Sequence, residues 1–458
     1  MDTLATGRTG TVVRISGPLV EVDGVDGVSM LEVVAVGPQR ISAETVAIAG
    51  TRAILQAYEY TGGLKAGDTA EATGNQLSGL LGPGLLGQVF DGLMRPLSSA
   101  PLWLTPDRAG SAEDPAALAR SWTFIPAASA GAHVSPGDVL GTVPGAGSVE
   151  HKVLVPWGVS GEVTWLAPES QVHALDVVAR VGTHEVQLAE RWPVRRPRPF
   201  RDRRTEAVPL HTGQRVLDLM YPVARGAAAA VPGGFGTGKT LLLQQIAKWS
   251  DADVIVYVGC GERGNEMADV LDGLSKLVDT RTGGQLIDRT VIIANTSNMP
   301  MMAREASIYT GITVAEFYRD MGYDVVVIAD STSRWAEALR EFANRNGDLP
   351  AEEGYPANLA SELAAFYERA GCVTTLGGRT ASVTVIGAIS PPGGDMTEPV
   401  TTDTQRFVRS LWLLDRDLAY SRHYPAVSWT GSFARDAEAL GLWHAANGHP
   451  GWAQRRAR

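Results

Sequence analysis

Gly233-Gly234-Phe235-Gly236-Thr237-Gly238-Lys239-Thr240 fits the spacing G-x-x-x-x-G-K-[ST], and each fixed residue has a chemical reason to be there. Glycines let the backbone curl so that successive N–H groups point inward at phosphate oxygens. A helix starting at Lys239 adds the positive end of its dipole. Lys239 supplies a point charge to β- and γ-phosphates, and the Thr240 hydroxyl suits Mg²⁺. A merely flexible glycine loop would not need the lysine, the hydroxyl and a following amphipathic helix in that order.

Asp330 closes the apolar run Val325–Ala329. A parallel strand delivers its last side chain to the C-terminal edge of the sheet, where ligands bind. Taken alone, an aspartate there serves equally well as a cap for the next helix; downstream of a phosphate loop, a place in the Mg²⁺ shell is favoured. Gly259-Cys260-Gly261-Glu262-Arg263-Gly264 matches G-x-G-x-x-G. A dinucleotide site would need an acidic residue about 20 positions on, closing the next strand. Asp279 and Asp288 both precede the strand expected at Val291–Ala294, so the dehydrogenase reading fails. The segment offers instead Glu262, able to orient and polarise water, and Arg263, able to neutralise charge on a transferred group. A surface Glu-Arg pair is the competing reading on geometry alone.

The elements that must position these residues alternate. Strand cores are expected at Val254–Val258, Val291–Ala294, Val325–Ala329 and Val383–Ile389, with helices over Lys239–Trp249, Asn265–Leu277, Met302–Met321 and Arg334–Asn346. Such alternation implies a parallel sheet covered on both faces. The strand before the phosphate loop, Ala227–Val231, is alanine-rich and weak by propensity. Upstream, short strands at Thr11–Ile15, Leu19–Val22, Leu31–Val36, Thr45–Ala49 and Ala53–Tyr58 read as a small β-barrel. A glycine-rich connector runs into a helical stretch near Val89–Met94, and Val153–Val155, Gly161–Trp165 and Val177–Val181 read as a second β module. The Arg- and Pro-rich junction Arg191–Arg204 reads as a stiff, solvated linker rather than a nucleic-acid patch.

Composition narrows the function classes. Forty Lys and Arg against fifty Asp and Glu leave a net charge of −10 over 458 residues, the wrong sign for a nucleic-acid coat. No apolar run approaches the roughly 20 residues of a spanning helix. Residues 1–10 show no basic head followed by an apolar stretch, as a secretory signal would. Cys260 and Cys372 are far apart and read as reduced cytosolic thiols.

Several longer segments carry a resemblance: Lys248–Asp269, Ser297–Thr313, Asp330–Glu341, Gly354–Gly371 and Ser390–Thr402. They are similar to the catalytic A subunit of the V/A-type rotary ATPases, and the likeness runs over nearly the whole chain. It implies an N-terminal β-barrel (residues 1–72), a connector (73–109), a β-rich bulge insertion (110–190) and an α/β P-loop, RecA-like ATPase core with a parallel sheet (191–435). Residues 436–458 would open a C-terminal helical domain that the chain leaves unfinished, which puts torque coupling in question. Implied roles are phosphate and Mg²⁺ binding by Lys239 and Thr240, water positioning by Glu262, contact with the γ-phosphate by Arg263 and metal support by Asp330. Tyr424 falls where the family stacks an aromatic on adenine, ordinary packing being the alternative. Arg334 stands one turn beyond Asp330, either reaching the phosphates or bridging a subunit contact. Thr237 occupies a position where many relatives carry cysteine, so the loop has no thiol to regulate. The resemblance further implies ATP and ADP as ligands, with B subunits alternating in a hexamer and completing each site with an arginine. Rotor and peripheral stalks, and a membrane sector moving protons or sodium, would complete a cytoplasmic, membrane-peripheral machine. A nucleotide-binding assembly subunit without turnover and a hexameric translocase on nucleic acid are the competing readings.

Overall fold

The computed structural model describes residues 8–97, 118–279, 281–452 and 454. Residues 1–7, the 98–117 segment spanning the expected connector–insertion boundary, and Arg455–Arg458 lie outside it.

Six antiparallel strands close a barrel: Arg8–Ser16, Leu19–Asp23, Arg52–Ala57, Ile41–Ala49, Glu32–Val36 and Thr69–Gln76, in that spatial order. Alternation sends Val20 and Val22 inward with Val12, Val34 and Leu55, while Glu21 between them faces out. The closing strand runs past residue 72 and was not legible as a strand. Only Ala70 and Ala72 point inward, and its second half is exposed, so the apolar alternation is almost absent.

Val89–Met94 is not helical. Val89–Phe90 is a parallel edge strand beside Ile292 and Ile293. Six residues cannot offset the cost of helix nucleation, whereas an open sheet edge offers ready backbone partners. The insertion folds as two four-stranded antiparallel sheets around Phe124, Leu140, Val143, Val163 and Val178.

The Arg191–Arg204 junction departs from the solvated linker expected of it. Glu190–Pro193 pairs with Ser78–Leu81. Arg195 is clamped between Glu44 of the barrel and Glu305 of the core, at 2.9 and 2.6 Å. Buried Arg198 reaches Asp320 at 2.7 Å and Glu190 at 2.5 Å. The later part, from Arg201 to Glu206, is exposed throughout. Partner carboxylates distant in sequence made the first half a packed staple. Replacing Arg195 by alanine strands two buried carboxylates, and chemical denaturation should register a loss of about 3–5 kcal/mol.

The main sheet places Ser410–Leu411, Ala228–Pro232, Thr380–Ile389, Asp324–Asp330, Val254–Glu262, Thr290–Thr296 and Val89–Phe90 side by side, all parallel. Phe433–Ala434 adds an antiparallel edge. Alternate residues of one strand serve opposite layers. Ile255 and Tyr257 pack with Leu243 and Ile246 of the helix Lys239–Trp249; Val256 and Val258 pack with Ile308 and Ile312 of the helix Met301–Asp320. The alanine-rich strand is fully buried between two parallel neighbours, so its place in the sheet overrides its weak propensity.

Candidate active site

The helix Lys239–Trp249 begins directly after Gly238, which caps it in the left-handed region at φ +89°. A side chain there would be strained, and its Cβ would stand 3.3 Å from the Tyr424 ring. No side chain caps this helix, so its first N–H groups are left for an anion. Thr237 Oγ1 donates to Gly234 O at 2.8 Å. Lys239 Nζ donates to Gly233 O and Gly234 O at 2.6 and 2.9 Å, folding the loop around its own charge. Burial pulls the Lys239 ammonium below its ordinary pKa, with Asp330 and Glu262 opposing. Phe235, at the loop's tip, is 90% exposed.

Asp330 ends its strand buried. Its Oδ2 accepts from Tyr257 Oη at 2.9 Å and from Thr240 Oγ1 at 3.3 Å. The next helix, Thr332–Asn346, starts after Ser331 without a side-chain cap, so the carboxylate is directed at Thr240 and not at the helix. Burial raises the Asp330 pKa, against the pull of Tyr257 and Lys239. A buried carboxylate beside a hydroxyl suits a hard cation. Among the described residues no group of three or more His, Cys, Asp or Glu could hold a metal. A cation here would rest on these two oxygens plus phosphate oxygens, the arrangement Mg²⁺ favours.

Glu262 is the last residue of the neighbouring strand and faces the same cleft, a space of about 1140 Å³. Burial, then Asp330, then a hydrogen bond with Glu266 push its carboxyl up to about 7. Arg263 is exposed at the start of the helix Gly264–Lys276, also lining the cleft. Arg334 lines it too, with Nη1 held by both oxygens of Glu337 at 3.0 and 2.9 Å, so its ion pair is internal to its own helix. Tyr424 packs on Gly238 at 56% exposure; the aromatics among the residues lining the cleft are Phe235 and Tyr420, the latter with Arg416 stacked over it at 5.1 Å.

Contributors that escaped the sequence reading include Tyr257, Glu266, Arg304 and the loop Ser390–Gly394. Glu266 stands four residues after Glu262, and Arg304 lies in the first turn of a helix that follows a parallel strand, so both carried a positional signal. Tyr257 looked like one more core residue because only its hydroxyl reaches the site.

A glycine loop opening a helix at the C-terminal edge of a parallel sheet, with an aspartate closing the strand two places away and a glutamate closing the one beyond it, defines a P-loop nucleotide-binding domain. Residues 213–434 match the ATP synthase alpha/beta family nucleotide-binding domain, 114–195 the alpha/beta barrel-sandwich domain and 12–74 the family's beta-barrel domain. The chain is 50% identical over 460 residues to the A subunit of the A-type ATP synthase of Hyperthermus butylicus, covering 98% of this chain and 76% of that one. It is 52% identical to the V-type ATP synthase alpha chain of Nitrosococcus oceani (98% and 77% covered) and 53% identical to that of Anaeromyxobacter dehalogenans (95% and 75%). The chain therefore belongs to the ATP synthase alpha/beta family, among the A subunits of A- and V-type enzymes.

Proposed function

We propose that this chain is the catalytic subunit of an A/V-type ATP synthase, hydrolysing or forming ATP as Mg-nucleotide. The observation that carries the reading is the meeting of the phosphate loop, Asp330 and Glu262 at one sheet edge in a chain about half identical to named A subunits. Loop amides and Lys239 hold the phosphates; Thr240 and Asp330 hold Mg²⁺, which when bound neutralises phosphate charge. Glu262 orients the attacking water and accepts its proton, and Arg263 offsets charge on the transferred group. Tyr424 lies beside the loop where an adenine ring could stack, and Arg334 adds charge near the phosphates while paired to Glu337. B-type subunits alternating with this chain in a hexamer, rotor and peripheral stalks and a membrane sector moving protons or sodium would complete the machine, with this chain on its cytoplasmic side. Among the described residues no helix is long and apolar enough to cross a membrane.

The test is phosphate release from Mg-ATP by the chain assembled with a B-type partner, against a Glu262→Gln control. Turnover no higher than that control would remove the catalytic reading. A pH profile adds a second check. Glu262 works only when ionised, and its carboxyl sits at about 7. Thus kcat/KM should fall about tenfold per unit below pH 7 and level off above it, because that ratio follows the free enzyme's groups. The limb should vanish from the residual activity of the Glu262→Gln variant.

A further inference from the structure

Arg304 stands in the first turn of the helix Met301–Asp320, and its side chain crosses the backbone just before Glu262. A Cβ added to Gly261 would lie 2.9 Å from Arg304 Cδ and 3.1 Å from its Nε, so the glycine makes room for the arginine. Nη2 donates to Ser297 O at 2.9 Å, and Nε is buried without a hydrogen-bond partner. Among the described residues no carboxylate pairs with it. Arg334, whose own Cβ would stand 2.9 Å from the same added Cβ, is by contrast neutralised by Glu337. A fixed, unneutralised guanidinium lining a cleft is a strong recognition element for a tetrahedral oxyanion.

Sheet order says which oxyanion. From the phosphate-loop strand the order runs through Thr380–Ile389, Asp324–Asp330 and Val254–Glu262 to Thr290–Thr296. The helix bearing Arg304 follows the last of these, and Arg304 Nη2 is tied to Ser297 O just past that strand, so its guanidinium stands on the side of Glu262 away from the phosphate loop. A nucleotide tail held by the loop lies on the near side. We propose that Arg304 is a positioning residue for orthophosphate as a separate species, taking it after cleavage from ADP and presenting it before synthesis. This rests on the proposed catalytic function. The structural alternative is that Arg304 only braces the loop at Ser297.

The assembled complex tests it through two constants: inhibition of ATP hydrolysis by added orthophosphate, and binding of a fluorescent ADP. Arg304→Gln should raise the orthophosphate constant by about 10- to 100-fold, the worth of a charge-assisted contact, and leave ADP affinity within about twofold. Arg304→Lys, which keeps the charge, should recover part of the loss. An unchanged orthophosphate constant in Arg304→Gln, or a parallel loss of both ligands, overturns the proposal. Should the Gln variant fail to fold, Arg304→Lys decides: orthophosphate weakened several-fold with ADP unchanged supports it, and an unchanged orthophosphate constant sinks it. A parent complex that neither binds ADP nor hydrolyses ATP would overturn the underlying catalytic reading, and no variant is needed to see that.

Discussion

Glu262→Gln should leave Mg-ATP bound and cut hydrolysis by about 10²- to 10⁴-fold, the usual contribution of a positioned general base. The substitution is nearly isosteric and removes a proton acceptor held at about 7 by burial and by Asp330. A neutral amide in its place relieves that crowding of carboxylates, so nucleotide affinity should hold or rise. Phosphate release and fluorescent-nucleotide titration on the same preparation separate the two effects. Hydrolysis at the parental rate would show that the water is activated elsewhere.

Lys239→Ala should act on the other constant. The ammonium is drawn into the loop by two carbonyls and lies beside Asp330 and Glu262, whose negative charges it offsets. Without it, two carboxylates confront a polyphosphate with one cation fewer. Truncating a buried, hydrogen-bonded charge typically costs about 2–5 kcal/mol, or roughly 30- to several-thousand-fold in affinity. The loop also loses its internal tie, so Lys239→Met, of similar length, is the companion variant. Nucleotide bound at parental affinity by both would place the triphosphate away from this loop.

The two variants probe residues that were visible in the chain for different reasons. Lys239 belongs to a motif whose spacing is dictated by phosphate geometry, so it was legible without a fold. Glu262 sat in a segment that also fitted a dinucleotide fingerprint, and only the absence of an acidic residue closing the next strand set that aside. Asp330 was legible as a strand terminus but open in role. Its contacts with Thr240 and Tyr257, and an uncapped following helix, come from packing between three separate strands and helices.

Local pattern likewise served the core better than its margins. The helices Lys239–Trp249, Asn265–Leu277, Met302–Met321 and Arg334–Asn346 were expected within about two residues of where they lie, and the four expected strand cores fall inside strands that run up to four residues further. Long apolar runs and 3.6-residue periodicity are strong signals. The sixth barrel strand and the Val89–Phe90 edge strand were missed because short or half-exposed strands borrow stability from neighbours they are not adjacent to in sequence.

By itself, then, the sequence determined the loop that can grip phosphate, the strand–helix alternation behind it and the family to which the chain is similar. These depend on local spacing, backbone freedom at glycine and periodic burial, all written in consecutive residues. Tertiary structure alone decided that Arg195 would staple barrel to core, that Tyr257 would steady Asp330 and that Arg304 would reach the cleft from beyond Glu262. Each depends on a partner tens to hundreds of residues away, and the energy of a buried charge is set by what surrounds it in space.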